Sequence, residues 1–166
     1  MRPRIMVGAL LASALIGMTA PAVAHAAPPP FEHQKEVVAN FTDAAGRPVL
    51  LRRGWYDGGG GGFGWDKITQ KHRITNINLL EKILKNPNGG EQDGPTSRRY
   101  FGFAQRFSCD ISGRCTEVER IRLKAVVEFR DDPSMGGQKG VITAYCEYGR
   151  PDCPSWVNNV RNVVPG

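Results

Sequence analysis

In "TEVERIRLKAVVEFR", residues 116–130, apolar and polar positions alternate. Ile121, Leu123, Ala125, Val127 and Phe129 are apolar, and Arg120, Arg122 and Lys124 stand between them. That period of two predicts a long, half-buried strand with a basic outer face. The aromatic-rich "RRYFGFAQRFS" before it predicts a partner strand, and "CDISGRC" a turn between the two, with Gly113 taking the positive φ. After "DDPSMGG", the segment "GVITAYCEY" predicts a last strand. Strict alternation over Gly140–Glu147 would put Val141, Thr143 and Tyr145 on one face and Ile142, Ala144 and Cys146 on the other.

Upstream the period is helical. Trp65, Ile68 and His72 fall at i, i+3 and i+7 of Gly64–His72, which predicts a short helix whose apolar side also carries the histidine. A second helix follows, with Asn78 as its cap, Glu81 three residues on, and Leu79, Leu80, Ile83 and Leu84 on one face. Pro87 and the glycines of "NPNGG" stop it. Arg47–Trp55 is a candidate first strand inside a lead-in of residues 27–57. The expectation for residues 58–166 is an α+β domain: one or two N-terminal helices packed on a small antiparallel sheet of three to four strands.

The N-terminus changes the setting. Arg2 and Arg4 precede an apolar run from Ile5 to Met18, and small residues follow in an A-x-A pattern, so residues 1–26 read as a secretory signal peptide and the protein as secreted. The run is shorter than the roughly 20 residues of a spanning helix, and no membrane span is expected. The formal charge of +6 becomes about +4 without Arg2 and Arg4, a mild excess that permits an anionic partner. In an exported chain the four cysteines predict two disulfides. Of three possible pairings, the spacings favour the local loops Cys109–Cys115 and Cys146–Cys153. The C-x₂-C spacing of zinc sites is absent, so no metal or other cofactor is expected.

Five glycines, Gly58–Gly62, lead into "FGWDKITQKH". The run lacks the Gly-Lys-Ser/Thr ending of a nucleotide-binding loop and reads as a flexible surface loop. His72 is the candidate acid–base group, because imidazole titrates nearest neutrality without special tuning.

Taken together, "GGFGWDKITQKHRI", the basic strand ending "VVEFR" and "GVITAYCE" resemble the C-terminal toxin domains of the barnase–EndoU–colicin–RelE group of metal-independent ribonucleases, over Gly58–Glu147. The leader and the cysteines are departures from that group. The resemblance implies cleavage of RNA by attack of its 2′-hydroxyl on the adjacent phosphorus. His72 would be the general acid or base, with its partner a Lys, Glu or Tyr. Lys67 or Lys71 would hold the phosphate, Thr143 and Tyr145 would contribute donors, and Arg122 a further cation. Tyr100, Phe101 and Phe103 would be available to stack on bases. The glycine run would keep side-chain bulk from the mouth of the cleft.

The alternative is a non-enzymatic secreted module, a disulfide-stapled inhibitor or cell-surface binding protein using "EYGRPD" as its contact loop. A polyanion binder using Arg120, Arg122 and Lys124 is a third reading. RNA is thus the expected substrate, with a protein partner or inhibitor as the other possible ligand.

Overall fold

The computed structural model describes residues 30–166; the expected leader at residues 1–26 lies outside them. In chain order the elements are α1 (Phe31–Lys35), β1 (Val37–Thr42), β2 (Pro48–Arg52), β3 (Trp55–Tyr56), β4 (Gly62–Phe63), α2 (Gly64–His72) and α3 (Asn78–Leu84). There follow β5 (Glu91–Gln92), β6 (Ser97–Cys109), β7 (Cys115–Asp132), β8 (Gly137–Glu147) and β9 (Val163–Pro165). Strand outweighs helix, 46% against 24%, with three helices among the described residues, so the expected α+β fold of one or two helices on three to four strands is corrected. The main antiparallel sheet has five strands in the order β5-β6-β7-β8, with β9 also paired to β6; β1–β2 and β3–β4 form two separate pairs.

The surplus strands are those that carry no readable period. β3, β4 and β5 are two residues long, and β9 includes Pro165, which cannot donate to a ladder. The long strands follow their patterns: Ile121, Leu123, Ala125 and Val127 of β7 are all buried. Leu79, Leu80, Ile83 and Leu84 of α3 are fully buried and share one core with Tyr100, Ala104, Leu123, Val127, Val141 and Ala144 of the sheet and Val49 and Leu51 of β2. Gly102 lets helix and sheet approach, since a Cβ there would lie 3.0 Å from the Val164 carbonyl oxygen and 3.4 Å from Ile83 Cγ1. The expected cap of α3 is corrected by one residue: Ile77 stands at the cap position, with no side-chain cap bond. Asn78 begins the helix, and Asn76 Oδ1 accepts from its N–H at 3.1 Å.

A polar network pins the β1–β2 turn onto the sheet. Asp43 accepts from the Tyr100 hydroxyl at 2.7 Å and from Arg47 Nε at 2.7 Å, while its other oxygen accepts from the Ala45 and Arg47 backbone N–H groups. Burial and the adjacent Asp43 carboxylate push the Tyr100 phenol far above its ordinary range. Beyond the core, β6 and β7 run on as a hairpin arm with Phe107, Ile111 and Val118 exposed at its end. The arm is closed by Cys109–Cys115, and the second expected disulfide, Cys146–Cys153, is also formed. No helix among the described residues is long and apolar enough to cross a membrane.

The two kinds of apolar residue differ in what they stabilise. Leu80→Ala, at the centre of the core, will lower the unfolding free energy in urea by about 3 kcal/mol, and Ile111→Ala, at the arm tip, by less than about 0.5 kcal/mol.

Candidate active site

The glycine run is the turn of the β3–β4 hairpin, and it is held by side chains on both sides of it. The Asp57 carboxylate accepts from the Gly59 and Gly61 N–H groups at 2.8 and 3.0 Å, and Lys67 Nζ donates to the Gly60 and Gly62 carbonyls, each at 3.1 Å. Gly62 has φ +97°, and a Cβ there would lie 2.0 Å from the Trp55 carbonyl oxygen. The run expected as a flexible loop is therefore a fitted turn, fastened to the helix that follows it.

α2 packs against β8. Ile68 and His72 face inward, fully buried and 7% exposed respectively. The helix ends at Arg73, a non-glycine residue at φ +57°, and Asn158 holds this turn by donating from Nδ2 to the Arg73 carbonyl and accepting at Oδ1 from the Thr75 and Asn76 N–H groups. The strand is also locally irregular. Val126 pairs with Thr143 but Val127 pairs with Val141, so Ile142 is an extra residue in a β-bulge. This corrects the expected faces: Val141 joins Ala144 and Cys146 in the core, while Thr143 and Tyr145 lie on the opposite side with Lys124 and Phe101. Tyr100 is fully buried in the core and cannot stack on a base; Phe101 and Phe103 are on the outer face, where Phe101 is itself buried beneath Arg122 and Phe103 is half-buried.

Lys67, Lys71, His72, Thr143 and Tyr145 line one cleft of about 280 Å³. His72 and Tyr145 are in ring contact, with centroids 5.5 Å apart. Nδ1 of His72 is 2.7 Å from the Pro151 carbonyl oxygen. A carbonyl only accepts, so Nδ1 carries the proton and Nε2 of the neutral ring is left as the acceptor. Thr143 Oγ1 is buried without a hydrogen-bond partner. Burial lowers the His72 pKa; the Pro151 bond opposes that shift, and Lys71 and Lys67 add to it. Burial and then Lys71 also lower the Lys67 pKa, opposed by Asp57. The cleft thus presents a neutral base beside a crowded pair of ammonium groups.

Arg122 is not among these residues. It pairs with Glu147 at 3.5 Å, stacks on Phe101 with its guanidinium carbon 3.9 Å from the ring centroid, and lines a separate cleft of about 370 Å³ with Phe103 and Gly166. His33, the other described histidine, lies against Asp66 at 3.1 Å. Sequence reasoning missed two groups that contact cleft residues without lining the cleft: the Pro151 carbonyl behind His72, whose signal was the short spacing from Cys146 to Cys153, and Lys124, whose Nζ lies 5.7 Å from the centre of the Tyr145 ring. Compared with known proteins, the chain matches no family model, no curated protein and no solved structure.

The depressed His72 pKa has a definite sign in stability. The unfolded chain takes up a proton near pH 6.5 and the folded one only at lower pH, so His72's contribution is complete above about pH 6.5 and lost as the pH falls below it. Urea unfolding at pH 7.5 and 5.5 will show wild type losing ground to His72→Gln at the lower pH. A gap that widens in favour of wild type on acidification contradicts the neutral buried imidazole.

Proposed function

We propose that this protein is a secreted, metal-independent endoribonuclease that cleaves RNA by attack of the 2′-hydroxyl, leaving a 2′,3′-cyclic phosphate. The carrying observation is the His72 imidazole, donating from Nδ1 to Pro151 and lining a cleft with two lysines, a hydroxyl and a phenol. A neutral ring with Nε2 as acceptor is the form a general base needs. Nε2 takes the 2′-hydroxyl proton, the O2′–P bond forms, and the P–O5′ bond breaks. Lys67, whose ammonium is acidified by burial and by Lys71, gives the proton to the departing O5′. Two of its three N–H bonds serve the hairpin carbonyls, and one remains for the substrate. Lys71, Thr143 and Tyr145 supply the charge and hydrogen bonds that the phosphorane requires as its negative charge builds. Proton exchange with solvent then resets His72 and Lys67.

The resemblance to the barnase–EndoU–colicin–RelE toxin domains supports this reading, because its His72, Lys67, Lys71, Thr143 and Tyr145 are the five cleft-lining residues. Two disulfides support the oxidising setting of an exported protein. The polyanion-binder reading is weakened by pairing of its cations: Arg120 with Glu117, and both Arg122 and Lys124 with Glu147. The binding-module reading loses part of its contact loop, since the Pro151 carbonyl is turned onto His72.

The test is incubation of the oxidised protein with mixed RNA in excess chelator. Cyclic-phosphate ends are expected, with kcat reduced at least about 100-fold in His72→Ala and about tenfold or more in Lys67→Ala. A folded wild type that leaves the RNA intact overturns the proposal.

A further inference from the structure

We propose that the Cys146–Cys153 disulfide is the positioning device for His72 and makes the activity dependent on an oxidising environment. This inference rests on the ribonuclease reading for its activity, though its geometric part stands apart from it. Cys146 is the neighbour of Tyr145 near the end of β8 and is nearly fully buried, as is Cys153. The bond therefore fastens one wall of the cleft to the loop that serves the other. From that loop Pro151 presents its carbonyl to His72 Nδ1 at 2.7 Å, and the Cys153 N–H donates to the His72 backbone carbonyl at 2.9 Å. Within the loop the Tyr148 hydroxyl donates to the Asp152 carbonyl. Two contacts from one closed loop thus set both the backbone position of His72 and the proton on its ring.

Apart from the disulfide, the side chain that anchors the loop is Tyr148, which packs against the core near its start; the tip that carries Pro151 has no such anchor. Gly149 and Arg150 are exposed, and the side chain of Arg150 reaches only Asp152 of the same loop, at 4.0 Å. A dithiol reductant supplies two electrons and two protons, the S–S bond breaks, two thiols form, and the reductant becomes a disulfide. The loop then gains the freedom its closure had removed, and the Pro151 carbonyl is no longer held against Nδ1. An imidazole without that acceptor divides between its two tautomers and turns about its side-chain bonds, and a base in the wrong tautomer is a poor one. The protein would be weakly active while its thiols are reduced and would gain activity on oxidation. The other disulfide provides an internal control, since Cys109–Cys115 closes the exposed end of the hairpin arm and lines no part of the cleft.

Three oxidised proteins test this: wild type, Cys146→Ser/Cys153→Ser and Cys109→Ser/Cys115→Ser. Each is assayed for kcat and KM on an RNA oligonucleotide, and the His72 ring is observed by nitrogen NMR without substrate. The arm variant is expected to stay within about twofold of wild type in kcat. The loop variant is expected to lose about tenfold or more in kcat with KM within about twofold, and to lose the single Nδ1–H tautomer that wild type displays. An unchanged kcat and an unchanged ring spectrum in the loop variant overturn the proposal. A wild-type ring protonated on Nε2 overturns it whether or not the loop variant folds. If oxidised wild type cleaves no RNA, the ribonuclease reading fails, and the ring spectra still decide whether the disulfide positions His72.

Discussion

A helix ends with carbonyl groups that its own turns cannot satisfy, and in this protein the end of α2 is completed by a segment some eighty residues away. Cys153 donates to the His72 carbonyl, Asn158 donates to the Arg73 carbonyl and accepts from Thr75 and Asn76, and Pro151 accepts from the His72 ring. The cleft depends on this completion. Without it the last turn of α2 would fray, and Lys71 and His72 would lose their fixed relation to Thr143 and Tyr145. The C-terminal segment thus acts as the missing partner of a helix terminus.

The distribution of charge follows from the same packing. On the open face of the sheet, the cations that alternate along β7 are largely answered by Glu117 and Glu147, and exposed pairs of this kind contribute between about 0 and 1 kcal/mol each. They hold the face in register and leave little uncompensated field. Lys67 donates to the carbonyls of the glycine turn, which binds the turn to the helix, and it feels the Asp57 carboxylate across that turn. A phosphate entering the cleft would meet two lysines beside the His72 and Tyr145 rings.

The parts of the fold that were legible in the sequence are those where side-chain burial repeats often enough to show a period. β7, with alternating burial from Ile121 to Val127, and α3, with four leucines and isoleucines on one face, are of this kind. The two-residue strands are too short for any period, and β1 has no fully buried residue, only exposed and half-buried ones, so its pattern is blurred. The reading of β8 failed at a single point. A bulge adds one residue at Ile142, and no alternation rule reveals an added residue; it moved Val141 into the core while Thr143 and Tyr145 kept the outer face. Of the candidate site, the helix spacing of Lys67, Lys71 and His72 and the strand spacing of Thr143 and Tyr145 were local and readable. Their meeting, the Pro151 carbonyl and the separation of Arg122 are tertiary facts that no local spacing encodes.

In the proposed function, the cleft directs a ribose 2′-hydroxyl at the neighbouring phosphorus. The most direct measurement uses a DNA oligonucleotide carrying one ribonucleotide, incubated with oxidised protein in chelator and compared with the same strand in all-deoxy form. A single cut is expected, immediately 3′ of the ribonucleotide and ending in a 2′,3′-cyclic phosphate, with the all-deoxy strand left intact. Equal cutting of both strands, or no cutting of either by folded protein that contains both disulfides, would contradict the proposed function.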